Sequence, residues 1–371
     1  MQSYGGRSRG KGPFLSLGRL LLNIALVKTD VLIADKKSLQ RSADLLLSGE
    51  IVAIPTETVY GLAAIGTQPQ AVLKIFSAKG RPSTDPLILH LPSPDLNEAM
   101  DSGILSKSIP REAFKLALAF WPGPLTMILP RGSKVPDEVT SGLDTVAVRF
   151  PSHPVTQELL QLVKLPLAAP SANRFGRISP TDASSVMEEL GGVIPLILDG
   201  GPCCTGLEST VLSFLPPEPS ILRPGMITSE EIGKITGKSP PIHSQTITKK
   251  QSMVSPGMME SHYAPQTPLY LSEHAISKSQ SGIEFIHYHS PNILLESNHH
   301  ILAVNAKPET AARNLYRYLR LADSRKAKAI VVEPIPESPW AIAIRDRLQR
   351  ASVGTARYVN DRWVLTPKTR H

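Results

Sequence analysis

Short apolar runs alternate with longer helix-like stretches through the first two thirds of the chain. Residues 69–78 predict a helix, because Pro69 suits a first helical position and Ala71, Ile75 and Ala78 recur on one face. Alternation of strands and helices is typical of an α/β fold. The apolar runs predict strands at 51–54, 87–91, 125–129, 146–150, 167–169, 196–198, 210–214 and 220–222.

The periodicity disappears after residue 235, where Pro, Ser, Thr, Lys and Gln dominate, and this composition predicts a linker. A second, smaller α/β domain is predicted beyond it, with strands at 269–271, 301–304 and 330–332 and helices at 309–321 and 340–350. The predicted organisation is an extension (1–28), a first domain (29–235), a linker (236–267) and a second domain (268–371).

Composition narrows the class of protein. The 371 residues are 41% apolar and 19% charged, which describes a globular chain long enough for two domains. The apolar runs are far shorter than the roughly 20 residues of a bilayer span, so we expect no membrane helix. The adjacent cysteines Cys203 and Cys204 suit neither an ordinary disulfide nor a four-ligand zinc site, so we expect a reducing, cytoplasmic compartment.

Charge and histidine spacing add two expectations. A net charge of +8 suits an anionic partner, either a nucleotide or a nucleic acid. The first 28 residues are basic but rich in glycine and poorly amphipathic, so a disordered extension or a misplaced start codon is favoured over a targeting presequence. The pairs His287/His289 and His299/His300 are expected on a strand and a loop, with no role as metal ligands.

Residues 76–90 carry the most informative candidate chemistry. Lys79 and Arg81 flank Gly80, Pro82 stiffens the exit, and Ser83 adds a hydroxyl. These groups suit a polyphosphate, although on most chains a Lys-x-Arg pair is a solvated turn. Both cations are expected in a polar loop.

Further motifs follow in order along the first domain. Together with 76–90 they resemble the YrdC/Sua5 family, the threonylcarbamoyl-AMP synthases that start the threonylcarbamoyladenosine modification of transfer RNA. The resemblance spans roughly 29–235, and a weaker one, strongest at 311–316 and 331–334, extends into the C-terminal domain of the long members. The first-domain motifs lie at 49–62, 121–126, 146–151, 169–173 and 206–211.

The resemblance implies a twisted, mixed sheet wrapped by helices around a basic cavity, with a smaller Rossmann-like second domain. It also implies a nucleotidyltransferase that condenses L-threonine, bicarbonate and ATP to threonylcarbamoyl-AMP and pyrophosphate. A threonine carbamate oxygen would attack the α-phosphorus, so the enzyme mainly positions and neutralises anions and needs no covalent nucleophile. Mg²⁺ would be held mainly by the ATP phosphates, with no protein metal ligand.

Site residues are implied residue by residue. Lys79 and Arg81 would be catalytic, and Arg149 suits a carboxylate because a guanidinium can bind both oxygens. On the residues alone, Ser171 and Asn173 could equally cap a helix, and His90 could be a core histidine. The implied nucleotide contacts are Lys79, Arg81, Ser83, Asp85, Thr145, Ser171, Asn173, Ser179 and Arg223. The implied threonine contacts are Thr58, His90, Arg149, Ala169 and Ser209.

One residue departs from the family pattern, and one segment implies a moving part. The family usually has Asn where this chain has Asp85, and a carboxylate there should repel a triphosphate unless it points at magnesium or the adenine edge. Residues 255–265 resemble the linker of long members, in which His262 and Tyr263 would contact the nucleotide as a mobile lid. An inert tether is the alternative.

Partners and competing functions follow from the same reading. The implied partners are downstream tRNA threonylcarbamoyl-transfer proteins, with contact to tRNA or double-stranded RNA also consistent with the charge, and no membrane. A non-catalytic RNA-binding module of the same fold is the alternative function. The related carbamoyl transferases of hydrogenase maturation need cysteine-rich zinc modules, which two cysteines cannot supply.

Overall fold

The computed structural model describes residues 27–243, 263–290 and 296–368. None of the helices in these ranges has the length and apolarity that a bilayer span requires. Nearly all of the predicted extension, much of the predicted linker and His262 lie outside the described residues.

The first domain is built on one mixed sheet of ten strands, so the predicted α/β class is confirmed. Its order is β1-β8-β2-β3-β7-β4-β6-β5-β9-β10, with parallel and antiparallel neighbours interspersed. All eight predicted strands are present, whereas β1 and β3 were not predicted. The strands are β1 (Asp30–Ile33), β2 (Val52–Ile54), β3 (Gly61–Ile65), β4 (Ile88–His90), β5 (Leu125–Pro130), β6 (Thr145–Arg149), β7 (Leu167–Ala168), β8 (Leu196–Asp199), β9 (Thr210–Ser213) and β10 (Ser220–Arg223).

Helices cover the sheet, and the predicted helix is α2. Pro69 opens it and Gly80 ends it in the left-handed conformation at φ 62°, which glycine adopts without a steric cost. The helices are α1 (Lys36–Leu47), α2 (Pro69–Lys79), α3 (Leu96–Asp101), α4 (Arg111–Phe120), α5 (Asp137–Thr140), α6 (Pro154–Val163), α7 (Ala183–Leu190) and α8 (Ser229–Thr236).

Strand alternation divides the central sheet into a core face and a cavity face. Leu89 of β4 pairs with Val148 of β6, and both side chains join the main hydrophobic core. The next pair along the same ladder, His90 and Arg149, therefore points to the opposite face. That face carries the candidate site, so the strand period itself decides which side chains meet there.

The second domain contains a six-stranded sheet of order β13-β12-β14-β11-β15-β16, in which every neighbouring pair is parallel except β15 with β16. Two helices pack on it, and both contribute to the same hydrophobic cluster. The elements are β11 (Leu269–Ser272), β12 (Ile283–His287), β13 (His299–Ile301), α9 (Pro308–Ser324), β14 (Ala329–Val332), α10 (Ala341–Ala351), β15 (Gly354–Val359) and β16 (Arg362–Pro367).

Two expectations for this domain were wrong. The strand expected at 301–304 is β13, which ends at Ile301, because the chain turns at Ala306 and leaves Val304 exposed. The pair His299/His300 therefore lies on a strand and not on a loop, while His287 ends β12. The β15–β16 hairpin and β12 were not predicted.

The two domains dock through α9 and the 204–208 segment of the first domain. Arg313 Nε donates to the Cys204 carbonyl at 2.7 Å. Gly206 lies under the same helix at φ +79°, and a Cβ atom there would come within 2.5 Å of Arg313 Cα. Glycine is thus required at this position both for its backbone conformation and for close approach of the helix.

We predict that Gly206→Ala destabilises the protein more than Gly201→Ala does. Gly201 also has a positive φ, +84°, but nothing lies within 4 Å of its would-be Cβ atom. Strain alone should lower the free energy of unfolding by about 1 kcal/mol in either variant. Overpacking against α9 should add roughly 1–3 kcal/mol for Gly206→Ala. Denaturant and thermal melts measure the difference, and equal destabilisation would mean that α9 does not dock there.

Candidate active site

An enclosed cavity lies on the cavity face of the first sheet. It measures ≈ 50 Å³, well below the roughly 300 Å³ or more of a typical small-molecule pocket. Its walls come from strand ends, the turns beside them and one residue of the predicted linker. The lining residues are Thr56, Thr58, Val59, Gly61, Arg81, Ile88, His90, Arg149, Ala169, Pro170, Ser171, Glu208, Ser209, Arg223 and Tyr263.

Arg149 is held at the end of β6 by groups from two loops. Its Nη2 lies 2.5 Å from Glu57 Oε1, and both side chains are almost fully buried. Its Nη1 donates to Thr58 Oγ1 at 3.0 Å and its Nε to the Gly123 carbonyl at 3.2 Å. The two terminal nitrogens each carry a second hydrogen, so this clamped guanidinium retains donors for an anion in the cavity.

Glu57 was not predicted as a functional residue. It sits between Thr56 and Thr58 and is only 3% exposed. A carboxylate in an otherwise apolar and hydroxyl-bearing run is the signal that could have identified it, because a buried acid requires a charged or donating partner. The partner itself, Arg149, lies on a strand distant in the sequence.

His90 stands beside Arg149 because β4 and β6 pair in parallel register. Burial first, and then the neighbouring guanidinium of Arg149, lower the pKa of His90 to about 3. The imidazole is therefore neutral at physiological pH and can present one donor and one acceptor nitrogen. The interpretation of His90 as a cavity residue is consistent with this position.

Ser209 and Arg223 are joined by direct hydrogen bonds. Arg223 donates from Nη2 to Ser209 Oγ at 3.0 Å and from Nε to the Ser209 carbonyl at 3.1 Å. Ser209 Oγ also lies 2.7 Å from Thr126 Oγ1. The family resemblance implies a threonine contact for Ser209 and a nucleotide contact for Arg223. The hydrogen bonds between these two residues therefore make the two implied subsites adjacent.

Lys79 does not lie in a polar loop, and that expectation was wrong. It is the last residue of α2, and its side chain is buried because its amine reaches across to the 171–173 segment. Nζ donates to the Ser171 carbonyl and to the Asn173 carbonyl. Burial first, and then the nearby charge of Arg81, hold the pKa of Lys79 well below its usual value. Lys79 therefore connects the Lys-x-Arg pair, Lys79 and Arg81, to the segment that carries Ser171 and Asn173.

Arg81 lines the cavity and pairs with Asp85. Nη2 lies 2.8 Å from Asp85 Oδ2, and both side chains are buried. The same guanidinium donates from Nε to the Asp85 carbonyl at 3.1 Å and from Nη2 to the Pro86 carbonyl at 2.9 Å. Asp85 is therefore paired within its own loop, and the expectation that it repels phosphate unless it faces magnesium or adenine stays a prediction.

Three other residues implied to contact the nucleotide, Ser83, Thr145 and Asn173, do not line the cavity. Ser83 is exposed, and Thr145 lies at the start of β6 on the Arg149 side but about 13 Å along the strand. Asn173 donates to the carbonyls of Arg174 and Arg177 at 2.6 and 3.0 Å. Neither Ser171 nor Asn173 caps a helix, since Asp182 caps α7.

The structure thus sorts the implied site into two groups. All five residues implied to contact the threonine substrate line the cavity. Among the residues implied to contact the nucleotide, Arg81, Ser171, Arg223 and Tyr263 also line it. Five others, namely Lys79, Ser83, Asp85, Thr145 and Asn173, lie outside its lining. Ser179 also lies outside it, but its hydroxyl donates to the lining residue Glu208 at 2.6 Å.

Glu208 brings the second domain to the cavity wall. Its carboxylate accepts hydrogen bonds from Ser179, from the Tyr316 hydroxyl of α9 at 2.9 Å and from Arg347 Nε of α10 at 2.9 Å. Burial alone would raise the pKa of Glu208, but Arg347 and Arg223, with the Ser179 hydrogen bond, lower it to about 2. The carboxylate is therefore ionised and fully partnered.

Tyr263, a residue of the predicted linker and the first one described after residue 243, completes the wall. It is 1% exposed and adopts φ 63°. Its ring stacks on Tyr316 with centroids 6.1 Å apart and lies 5.2 Å from the guanidinium carbon of Arg347. Aromatic stacking and a cation–π contact thus hold the end of the linker against the second domain.

The chemistry of the site is that of an anion-binding cavity. Three arginines, Arg81, Arg149 and Arg223, line it together with hydroxyls and a neutral imidazole. The acid in its lining, Glu208, is already matched by donors. Within the described ranges, no group of three or more His, Cys, Asp or Glu side chains is arranged to hold a metal ion. The cavity is suited to hold and polarise anionic substrates.

Comparison with known proteins gives a consistent assignment. A Sua5/YciO/YrdC family model described as "Telomere recombination" matches residues 44–225, and one described as "Threonylcarbamoyl-AMP synthase, C-terminal domain" matches 227–353. The chain is 40% identical over 340 residues to threonylcarbamoyl-AMP synthase of Bacillus subtilis, covering 88% of this chain and 96% of that protein. It is 39% identical over 323 residues to the Pyrococcus abyssi synthase, covering 84% and 93%.

A solved structure extends the likeness to three dimensions. P. abyssi Sua5 complexed with L-threonine superposes with a TM-score of 0.78 at 36% identity, covering 88% of this chain and 97% of that one. The similarity therefore includes both domains and not only the first.

We predict that Asp85→Asn destabilises the protein far more than Asp101→Asn. Asp85 is a buried partner of Arg81, whereas Asp101 pairs with Lys107 where both side chains are more than 70% exposed. Removing one member of a buried pair costs about 3–5 kcal/mol, although the carbonyls of residues 85 and 86 that remain on Arg81 reduce this. A surface pair contributes about 1 kcal/mol or less. Melts that show equal losses would contradict the buried pair.

Proposed function

Because the chain belongs to the Sua5/YrdC family of threonylcarbamoyl-AMP synthases, we propose that it condenses L-threonine, bicarbonate and ATP to threonylcarbamoyl-AMP and pyrophosphate. The class of reaction is nucleotidyl transfer. The observation that carries the proposal is the meeting, in one enclosed cavity, of a clamped guanidinium beside a neutral imidazole with two further arginines.

Threonine is assigned to the end of the cavity formed by β4 and β6. Arg149 would bind the amino-acid carboxylate, since Glu57, Thr58 and Gly123 fix its plane before the substrate arrives. His90 is neutral and adds no charge that would repel the ammonium group. The Ala169 backbone and the Ser209 hydroxyl would complete this subsite, since both residues line the same cavity.

The nucleotide is assigned to the side of Arg81, Ser171 and Arg223. A carbamate oxygen attacks the α-phosphorus, the bond to the pyrophosphate oxygen breaks, and both anions gain charge stabilisation from the guanidiniums. Mg²⁺ would enter as part of the MgATP substrate, because Asp85 and Glu208 are already paired with arginines. Lys79 would act by fixing the 171–173 backbone.

Entry of a nucleotide requires the cavity to open. The enclosed volume of ≈ 50 Å³ is too small for ATP, and Tyr263 forms the wall nearest the linker. The predicted lid, residues 255–265, lies mostly outside the described residues and stays a proposal, in which outward movement of Tyr263 would admit substrates. Its closure would exclude water from a mixed carbamate–phosphate anhydride, which hydrolyses readily when exposed. His262 would belong to the same lid and lies outside the described residues.

The product would pass to proteins that transfer the threonylcarbamoyl group to tRNA, in the cytoplasm. The alternative of a non-catalytic RNA-binding module is less favoured. The cavity arginines Arg81, Arg149 and Arg223 are at most 7% exposed, and a polynucleotide backbone cannot reach them as it would an open basic surface.

The proposed function is tested by incubating the purified full-length chain with MgATP, threonine and bicarbonate. The expected products are equimolar pyrophosphate and an adenylate whose mass equals threonylcarbamoyl-AMP. Omission of threonine or of bicarbonate is the control and should suppress pyrophosphate release. Absence of the adenylate from the complete mixture would refute the proposal.

We predict that Arg149→Lys raises the KM for threonine on the order of 10- to 100-fold and changes the KM for ATP by only a few-fold. Lysine keeps a positive charge beside Glu57 but loses the planar fork that binds two carboxylate oxygens. Arg81→Lys should show the reverse preference, with ATP affected more than threonine. Steady-state kinetics with each substrate varied separately measure both.

The matched control is Arg131→Lys, which alters a guanidinium that pairs with the exposed Asp137 away from the cavity lining. Its constants should equal those of the unmodified protein. Equal effects of Arg149→Lys on both substrates would contradict the division of the cavity into threonine and nucleotide ends.

A further inference from the structure

We propose that Arg347 of the second domain is a positioning residue for the synthase reaction, holding the Ser209–Arg223 wall and Tyr263 in their working places. This inference rests on the proposed function. It gives the second domain a direct part in the first domain's chemistry, through one side chain on α10.

Arg347 contacts three separate segments at once. Nε donates to Glu208 Oε2 at 2.9 Å, Nη1 donates to the Pro224 carbonyl at 2.9 Å, and the guanidinium carbon lies 5.2 Å from the centre of the Tyr263 ring. The side chain has no exposed surface. A planar guanidinium holds such partners in fixed relative directions, which a flexible ammonium cannot do.

Each of these segments carries a cavity residue. Glu208 lines the cavity and precedes Ser209, Pro224 follows Arg223, and Tyr263 is itself part of the wall. Ser209 and Arg223 are hydrogen-bonded to each other, so a shift of either backbone displaces both. Arg347 is thus placed to set the spacing between the implied threonine and nucleotide subsites without touching either substrate.

The surroundings of Arg347 show that its charge is matched. Asp346 Oδ2 accepts from Nη1 at 2.8 Å, and Asp346 Oδ1 lies 3.0 Å from Arg350 Nε. Glu208 keeps the donors Ser179 and Tyr316 if Arg347 is replaced. A neutral amide at position 347 would therefore leave neither acid without a donor, which favours folding of the variant.

The arrangement also provides a variant with a smaller change. Tyr316→Phe removes the hydroxyl that donates to Glu208 but keeps the ring that stacks on Tyr263. If Glu208 must be held from the second domain, this loss should weaken the site in the same direction as replacement of Arg347, to a smaller extent.

The test compares Arg347→Gln, Arg347→Lys and Tyr316→Phe with Arg345→Gln in the full-length protein. Arg345 lies on the same helix but pairs with Glu337, whose side chain is 93% exposed, so it is the matched control. The measurements are the KM for threonine, the KM for ATP, kcat, the melting temperature, and ATP affinity by calorimetry without threonine.

Arg347→Gln is expected to raise both KM values on the order of 10- to 100-fold, as small misplacements of binding groups do, while Arg345→Gln matches the unmodified protein. Arg347→Lys should fall between them, because it keeps the charge beside Glu208 but not the second bond to Pro224. A folded Arg347→Gln with both KM values within about twofold of the unmodified protein would overturn the proposal.

The remaining outcomes are also decisive. If Arg347→Gln does not fold, Tyr316→Phe decides, and unchanged KM values in that variant overturn the inference. If Arg347→Lys and Arg347→Gln lose activity equally, and that loss only follows the fall in melting temperature, Arg347 has a purely structural role. That result also overturns the proposal. If the unmodified protein makes no adenylate, the proposed function fails by itself. ATP affinity then decides this inference, and equal affinity in Arg347→Gln counts against it.

Discussion

A carboxylate without access to water needs several donors, and Glu208 obtains them from both domains. Ser179 comes from the first domain, whereas Tyr316 and Arg347 come from two different helices of the second. Loss of one partner from such a buried pair lowers the free energy of unfolding by about 3–5 kcal/mol. The Glu208 carboxylate therefore links the association of the domains to the shape of the cavity wall. Gly206, two residues earlier, permits the close approach of α9 that makes the contact geometrically attainable.

The same principle recurs around the cavity. Arg149 is matched by Glu57 and Arg81 by Asp85, each within a buried pair. These acids orient the guanidiniums and offset the free energy of burying them, so the binding groups are in place before an anion arrives. Pre-organisation of this kind lowers the conformational entropy that the protein's own side chains lose when a substrate binds.

Much of the fold could be predicted because strand signals are local. The apolar runs that became β2 and β5 are flanked by turn residues, and Pro69 with Gly80 marks both ends of α2. β3 was missed because its run begins at a glycine and two alanines dilute its strand signal. The motifs and their order along the chain pointed to the site residues. The five residues that they imply as contacts of the threonine substrate line one cavity.

What could not be predicted depends on contacts between distant residues. Burial of Lys79 follows from carbonyls in the 171–173 turn, and the balance of charge at Asp85 follows from how Arg81 folds back on its own loop. The ion pairs Glu57–Arg149 and Glu208–Arg347 join residues about a hundred positions apart or more. Neither composition nor hydrophobic periodicity predicts such pairs. Tertiary packing decides which polar residues become structural supports and which face the cavity.

Amide hydrogen exchange with and without MgATP and threonine tests most directly whether the site is shared by the two domains. We expect slower exchange on substrate binding in peptides from the 204–210 segment and also in those from α10, because Arg347 couples them. Protection confined to the first domain, with α10 unchanged, would contradict it.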